Sequence, residues 1–487
     1  WDPFNFIVHK AGKIIRDCLG VIAGTGLSDL QWAQARLPIK LSGLGVSDPS
    51  LVCYPARMAA IITYFDRASS LGIREPRAPS DAQGVMDALS NWLGPNFEPI
   101  ASWQERDMGP HTTAIPAFEP DHRSQEWWST QLHKANIRQL SHLGTTRDQA
   151  RYACQREPHA TAWLSVVPQA SKNLRIPSAE FRLLLRWWLG IPILDPKMAG
   201  SKCPQCETRL DIFGDHAVSC NRNGAWLRHK AVQECLLHTF ISNGIVCDSE
   251  VVVGGKDRPA DLWLPSFSST GPIALDVTIR HPTCLSADIS VAQATKVVKD
   301  YEAAKVQKYS AICQTAGCTF TPFGLSTWGA TGPAGGEFLD TMIKHIVGSK
   351  TGSEKLQAAF LIRQQLSVAL MSQIGRQLLA LTRGVSAAEA NQNLLASPKS
   401  QTWLLQSFHP LALPLKPALT ICEHHSLSGP PPPDADDPQA PPPSSLSQGS
   451  SSPRGTKILG LKFDGGSRGN PGVGGAGGHI FLWGAEK

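Results

Sequence analysis

Arg258-Pro-Ala-Asp261, followed downstream by Ile273-Ala-Leu-Asp276-Val277-Thr278, is the passage on which the fold turns. Asp261 opens the apolar run Asp261–Leu264, and Asp276 lies inside the run Ile273–Ile279. Each carboxylate is therefore carried on a β-like segment. Upstream, Val246–Val253 reads as a strand and Trp226–Ile241 as a helix. Downstream, the stretch near Ala287–Val306 reads as a helix and Tyr309–Phe320 as a further strand. Short strands separated by helices specify an α/β architecture. If the strands bearing Asp261 and Asp276 are neighbours, the two carboxylates converge on one divalent cation. Paired carboxylates on Mg²⁺ (or Mn²⁺) are a usual means of activating water against a phosphodiester. Spacing alone leaves a second reading of equal weight, with both Asp as turn residues at strand ends. Lys305 and Lys308-Tyr309 close the following helix, where a lysine would stabilise charge developing on a phosphorane. Glu250 and Glu234 are secondary candidates for a third acid.

Immediately before this passage stands Cys203-Pro-Gln-Cys206, then Asp215-His216 and Cys220, with spacing C-x2-C-x9-H-x3-C. Thiolates and imidazole are the ligands a tetrahedral Zn²⁺ prefers, and close spacing lowers the cost of closing the loop. His229 competes for the fourth position. Four protein ligands leave no open position for substrate, so such a zinc is structural. The chain has 12 Cys, of which only Cys203 and Cys206 form a close pair. That usage suits a reduced compartment with one metal site better than a disulfide framework.

The remaining chain divides by composition. Its 487 residues exceed one ordinary core. A hydrophobic fraction of 42% with 18% charged residues is globular on average, and a net charge of +6 permits nucleic-acid binding without requiring it. No apolar run approaches the ~20 residues needed to span a membrane as a helix. Residues 1–70 read as helical, through Ile14–Ile22, a break at Leu37-Pro38, a tight glycine turn at Leu41-Ser-Gly-Leu-Gly45-Val46, and Tyr54–Tyr64. Residues 71–195 read as loops and short helices, then helices, with Phe181–Gly190 stopped by Gly190-Ile-Pro192. Residues 196–350 hold the cysteine cluster and the α/β segment. Residues 351–425 are led by a long amphipathic helix, with Leu356, Phe360, Leu366, Leu370, Ile374 and Leu378 near one stripe. Residues 426–455, rich in Pro, Ser and Gly, form an expected disordered linker that cannot bury a core. Residues 456–487 begin a β-rich stub at Lys457–Phe463. The expected fold is thus multidomain, α and α/β.

The sharpest single string is Phe463-Asp464-Gly465-Gly466-Ser467-Arg468-Gly469-Asn470-Pro471-Gly472. It places Asp464 at the end of an apolar strand, beside glycine-rich backbone that can approach a ligand closely. The string resembles the opening of ribonuclease H type 1 domains, over residues 456–487 only. The resemblance implies that Asp464 binds the catalytic divalent metals used to cut the RNA strand of a hybrid, with Arg468 and Asn470 touching nucleic acid. The later carboxylates of that family would lie beyond Lys487. The expectation is an incomplete domain within a longer reading frame, in keeping with Trp1 as first residue.

The order of cysteine cluster, Arg-Pro-x-Asp, apolar-Asp-Val-Thr and Lys-x-x-Lys-Tyr resembles the zinc knuckle and restriction-like endonuclease of one branch of non-LTR retrotransposons. That nuclease belongs to the PD-(D/E)xK superfamily. The resemblance implies Cys203, Cys206, His216 and Cys220 as zinc ligands, and Asp261 and Asp276 as ligands of Mg²⁺ (or Mn²⁺). It implies Lys308 as a displaced catalytic lysine and Arg258 as a DNA contact. Two positions depart from the pattern: Ala260 interrupts the Pro-Asp pair, and Thr278 stands where a lysine would complete Asp-x-Lys. Residues 1–65, with Asp29-Leu-Gln-Trp32, Leu37-Pro38 and Gly43-Leu-Gly-Val46, resemble the region after the palm of a retroelement reverse transcriptase. The Tyr-x-Asp-Asp string of such polymerases is absent, so polymerisation is not expected. Trp163-Leu164 and Arg186–Pro192 resemble the connecting region. Together these imply a retroelement polyprotein fragment whose partners are DNA, RNA–DNA hybrid and element RNA, with no membrane. It would be intracellular and act in the nucleus. The competing expectation is an inactive remnant serving as a zinc-stabilised nucleic-acid-binding module. A third reading, a host zinc protein with the adaptor tail Pro430–Pro443, leaves the string at Asp464 unexplained.

Overall fold

The computed structural model describes residues 3–73, 81–94, 120–254, 259–269, 271–283 and 289–385, together with the strand backbones at 458–462 and 479–483. The chain opens on α1 (Pro3–Ala23) and α2 (Asp29–Ala35). Ser28 begins α2 with a reciprocal cap: its hydroxyl accepts from Gln31 N–H and its own N–H donates to Gln31 Oε1 at 2.8 Å. Pro38 then ends the helical run. The glycine turn folds back so tightly that Leu44 N–H and Val46 N–H both donate to Ala35 O, at 3.1 and 3.2 Å. A Cβ at Gly43 would lie 1.8 Å from Leu37 O, so only glycine fits. α3 (Pro49–Ser70) starts at a cap by Asp48, whose carboxylate also pairs with Arg36 at 3.0 Å. It packs with α4 (Ala82–Leu93) and α5 (Gln125–Leu143) around Met58, Ile62, Phe65, Met86, Leu89, Trp128 and Leu132.

α6 (Thr146–Gln155) and α7 (Ser178–Trp188) are tied to the glycine turn by a buried polar knot. Gln34 Nε2 donates to Ser42 O and to Gln155 Oε1, while Trp188 Nε1 donates to Ser42 O. Arg151, 1% exposed, donates to Gln34 Oε1 and to Trp188 O. Backbone carbonyls that a sharp turn leaves without partners are thereby satisfied inside the core.

Beyond the cysteine cluster come α8 (Asp215–Ser219) and α9 (Ala225–Ser242), then β1 (Asp248–Val251), β2 (Ala260–Ser268) and β3 (Gly271–Arg280). α10 (Val291–Thr315) crosses over to β4 (Thr319–Ser326). The sheet order is β1-β2-β3-β4; the first two pairings are antiparallel and β3–β4 is parallel. α11 (Pro333–Val347) and α12 (Gly352–Arg383) follow. The molecule is therefore mostly helical with one small mixed sheet. A separate hairpin pairs β5 (Ile458–Lys462) with β6 (His479–Trp483).

One hydrophobic core runs through Leu19 of α1, Trp188 of α7, Leu236 of α9, Leu275 of β3, Phe338 of α11 and Leu378 of α12. Residues on both sides of positions 70, 195 and 350 share it. The expected strand Tyr309–Phe320 is instead the last turns of α10 followed by the start of β4. Tyr309 and Cys313, one turn apart, face inward, and Gly317 (φ +72°) ends the helix before β4 begins. A short apolar run fits either period, and here the helical one prevails. The stripe on α12 is buried from Ile362 through Leu366, Leu370, Ile374 and Leu378, whereas Leu356 and Phe360 are exposed because the first turns overrun the core.

α10 is anchored by Glu302, 4% exposed. Its Oε1 accepts from Gly324 N–H of β4 and Gly335 N–H, and its Oε2 from Ala334 N–H, in the first turn of α11. A carboxylate at a helix N-terminus satisfies orphan donors and favours the helix dipole.

Gly43→Ala is expected to lower the urea midpoint, by about 1–3 kcal/mol or more in stability, because the new methyl group must displace backbone rather than a side chain. An unchanged midpoint would contradict the packing described for the turn.

Candidate functional site

Two centres flank α9. The first is the cysteine cluster. A short hairpin carries Cys203 and Cys206, closed by Cys203 N–H to Thr208 O at 2.8 Å and Glu207 N–H to Cys203 O at 2.9 Å. Glu207 turns the chain with φ +63°. His216 lies on α8 and Cys220 caps its end. Asp211 orients α8: its carboxylate accepts from the backbone N–H of Phe213, Asp215 and His216, the last at 2.6 Å. As a result one ligand atom from each of Cys203, Cys206, His216 and Cys220 lies within 4.8 Å of the others. Cys206 Sγ and His216 Nε2 are 3.2 Å apart. The Cys206 thiol is held down at about 6, chiefly by hydrogen bonding with the Thr208 hydroxyl, which favours the thiolate a metal needs. Three sulfurs and one imidazole converging in this way can hold a metal such as Zn²⁺.

The cluster is locked to the rest of the molecule through Asp215. Its carboxylate takes two hydrogen bonds from Arg147 of α6, at 2.5 and 2.9 Å, and one from Trp187 Nε1 of α7 at 3.0 Å. His281, just past β3, approaches it at 3.6 Å. Burial opposes the charge on Asp215, yet Arg147 and His281 outweigh it and hold the carboxyl well below the usual range.

The second centre lies on the sheet. Leu262 pairs with Leu275 and Trp263 with Ala274, so one step along the same register sets Asp261 opposite Asp276. In an antiparallel pair, opposite side chains share a face. The β1–β2 register likewise sets Glu250 opposite Asp261. Glu250 has φ +58°, an uncommon conformation for a residue other than glycine. Gln233 of α9, fully buried, ties this edge together by donating to Glu250 Oε1 at 3.0 Å and to Asp261 O at 2.7 Å. Gln233, not its neighbour Glu234, is the α9 residue that reaches β1.

Asp261 Oδ2 accepts from Val277 N–H at 2.7 Å and sits 3.0 Å from His229 Nε2. The same imidazole nitrogen is 3.1 Å from Val277 O. Both partners are acceptors, so Nε2 carries the proton. Burial works against a charge on His229, but Asp261 raises its affinity for a proton overall. His229 is thus engaged at the sheet, and His216 is the histidine of the cysteine cluster.

Asp276 is 4% exposed. Its Oδ1 accepts from Lys305 Nζ at 3.0 Å, while its Oδ2 is buried with no hydrogen-bond partner. Burial pushes its carboxyl up, Asp261 adds to the rise, and Lys305 opposes it. Lys308, by contrast, donates to Tyr309 Oη at 2.9 Å and stacks its amine over that ring. The lysine brought to Asp276 is therefore Lys305. The spacing Lys-x-x-Lys could not separate them, since both lie near one face of α10. Arg258, Asp464, Arg468 and Asn470 lie outside the described residues.

Sequence reasoning missed Gln233, Asp211 and the Asp215–Arg147 pair, which make hydrogen bonds rather than spell a motif. His229 carried a signal, adjacency to the cluster, but it pointed to the wrong centre. No family model matches this sequence, and no curated protein matches it.

Two outcomes follow. The purified chain should contain about one zinc by elemental analysis, and Cys220→Ser should lose most of it; equal zinc in both proteins would rule the cluster out as the ligand set. Asp215→Asn should destabilise the fold by about 1–3 kcal/mol in urea unfolding, because Arg147 and His281 lose the charged partner they share. A loss below about 1 kcal/mol would mean that the pair is not the lock described.

Proposed function

We propose that this chain carries a metal-dependent DNA-nicking domain of PD-(D/E)xK type, built on a zinc knuckle, within a retroelement polyprotein. The observation that carries the reading is the buried, unpartnered Oδ2 of Asp276, facing Asp261 across two paired strands, with Lys305 on the other oxygen. A carboxylate oxygen left unpaired in a core is costly unless something positive meets it.

Asp261 has one oxygen engaged by His229 and Val277 N–H, which leaves Oδ1. Asp261 Oδ1 and Asp276 Oδ2 are therefore the atoms that would hold a hard divalent cation, and this pair suits Mg²⁺ or Mn²⁺. Such a cation, when bound, lowers the pKa of water and offsets charge on a phosphate. His229, through its Nε2 proton, keeps Asp261 oriented in the manner of an outer-shell partner. Lys305 holds a positive charge beside Asp276, where it would stabilise negative charge developing on a phosphate oxygen. Glu250, tethered by Gln233, is the acid on the neighbouring strand and lies outside the pair. Cys203, Cys206, His216 and Cys220 would hold Zn²⁺ as a structural pin at the start of α9, the helix that presents His229 and Gln233.

The wider retroelement reading, with DNA, RNA–DNA hybrid and element RNA as partners and action in the nucleus, is supported by sequence text alone. Its parts are the reverse-transcriptase-like passages before residue 195 and the ribonuclease H-like opening at Asp464. Among the described residues no helix is long and apolar enough to cross a membrane.

The full chain incubated with supercoiled DNA and Mg²⁺ or Mn²⁺ should convert it to the nicked circle. Asp276→Ala and Asp261→Ala should each slow this by roughly 100-fold or more, the scale on which a directed charge contributes. Lys305→Ala should cost more than Lys308→Ala. Absence of nicking from a folded, zinc-loaded chain that still binds DNA would replace the enzyme with a zinc-stabilised nucleic-acid-binding module.

A further inference from the structure

Trp226 departs from the general treatment of tryptophan in this fold. Trp128, Trp187, Trp188 and Trp328 are fully buried, but Trp226 is 68% exposed. It sits in the first turn of α9, one turn before His229 and Lys230 and two before Gln233. Residues three, four and seven apart share a face of a helix. His229 and Gln233 on that face touch Asp261, so Trp226 extends the same stripe one turn beyond the carboxylates. Along the chain a cation lies four residues to either side of Trp226. Arg222, exposed just before the helix, touches Gln205 O at 3.3 Å, and Lys230 follows on the stripe with its amine 3.3 Å from Gln233 Oε1. Asn223, just before the helix, is buried and donates to Ala217 O at 3.0 Å, which ties the start of α9 to α8.

An exposed flat aromatic surface on the helix that also carries His229 and Gln233, with Arg222 and Lys230 nearby in the chain, suits one kind of ligand: a nucleotide with its base unstacked from a helix. Base–aromatic stacking tolerates any sequence, because every base has a π-face, and cations at either side meet the adjoining phosphates. We propose that Trp226 is a stacking platform for an unpaired base of the DNA strand whose phosphate lies at Asp261 and Asp276, with Arg222 and Lys230 on the neighbouring phosphates. The inference rests on the nuclease reading for its substrate, and it makes locally unpaired DNA the preferred form. Fully paired duplex would give the indole no free base face.

The test is binding rather than cutting. Fluorescein-labelled duplexes, one fully paired and one with three central unpaired bases, are titrated with the full chain, zinc-loaded and without added Mg²⁺ or Mn²⁺, and followed by anisotropy. Trp226→Ala should weaken the unpaired duplex about 10-fold or more and the paired one less than about 3-fold, and Trp226→Phe should restore most of the difference. Arg222→Ala and Lys230→Ala should weaken both duplexes and flatten their salt dependence. Equal effects of Trp226→Ala on both duplexes, no effect on either, or a preference for RNA of the same sequence would each overturn the platform. Because no cleavage is read, a chain that fails to nick yet binds unpaired DNA through Trp226 overturns the nuclease reading alone. A chain that nicks but is indifferent to Trp226 overturns the platform alone.

Discussion

Asp215 is largely enclosed with a charge that must be answered, and the groups that answer it come from three separate parts of the chain. Arg147 arrives from α6, Trp187 from α7, His281 from the end of β3, and the residue itself opens the short helix that carries His216. A desolvated carboxylate tolerates little displacement of its partners, since each lost hydrogen bond leaves a costly buried group. The helical segment before residue 195 and the sheet after it are thereby held in one register. Trp187 extends the junction by stacking on Trp328 at 3.6 Å between centroids. The candidate metal-binding cluster consequently does not float on a surface loop: Asp215 precedes His216 directly, so the lock and the cluster share a backbone.

The sheet centre has the opposite electrostatic character. Where Asp215 is satisfied, Asp276 keeps one buried oxygen without a partner and has Asp261 facing it. Like charges opposite each other on paired strands work against stability, and Lys305 offsets only part of this. A small apolar residue at position 276 would suit Ala274 and Leu275 beside it. The proposed nuclease reading rests on this imbalance. The surround is substantial here, because Glu302 bolts α10 to β4 and α11 one turn away from Lys305, so the lysine is delivered by a helix with little freedom to shift.

Much of the site was legible in the chain. Cys203, Cys206, His216 and Cys220 have a spacing that few other constraints produce, and their convergence follows from short loops. The apolar runs around Asp261 and Asp276 gave strands, and the run Ile14–Ile22, the break at Leu37-Pro38 and the turn at Gly43 gave the first helices. The strand expected at Tyr309–Phe320 failed because an apolar run of that length satisfies both periods until its neighbours choose. The choice between Lys305 and Lys308, and the placement of His229 at the sheet, depended on which face of a helix meets which strand.

What the sequence determined by itself was local: helices and strands with period and caps, one turn that admits only glycine, and a cysteine cluster closed over a short span. These depend on residues near one another along the chain, where steric limits and loop entropy act directly. The tertiary structure decided the rest. It chose the strand register that sets Glu250, Asp261 and Asp276 in a row, the oxygen of Asp276 left without a partner, and the exposed position of Trp226 on α9. It also drew α1, α7, β3 and α12 into one core. Such outcomes hinge on pairings between distant segments, and a shift of one residue in register would send every carboxylate to the other face.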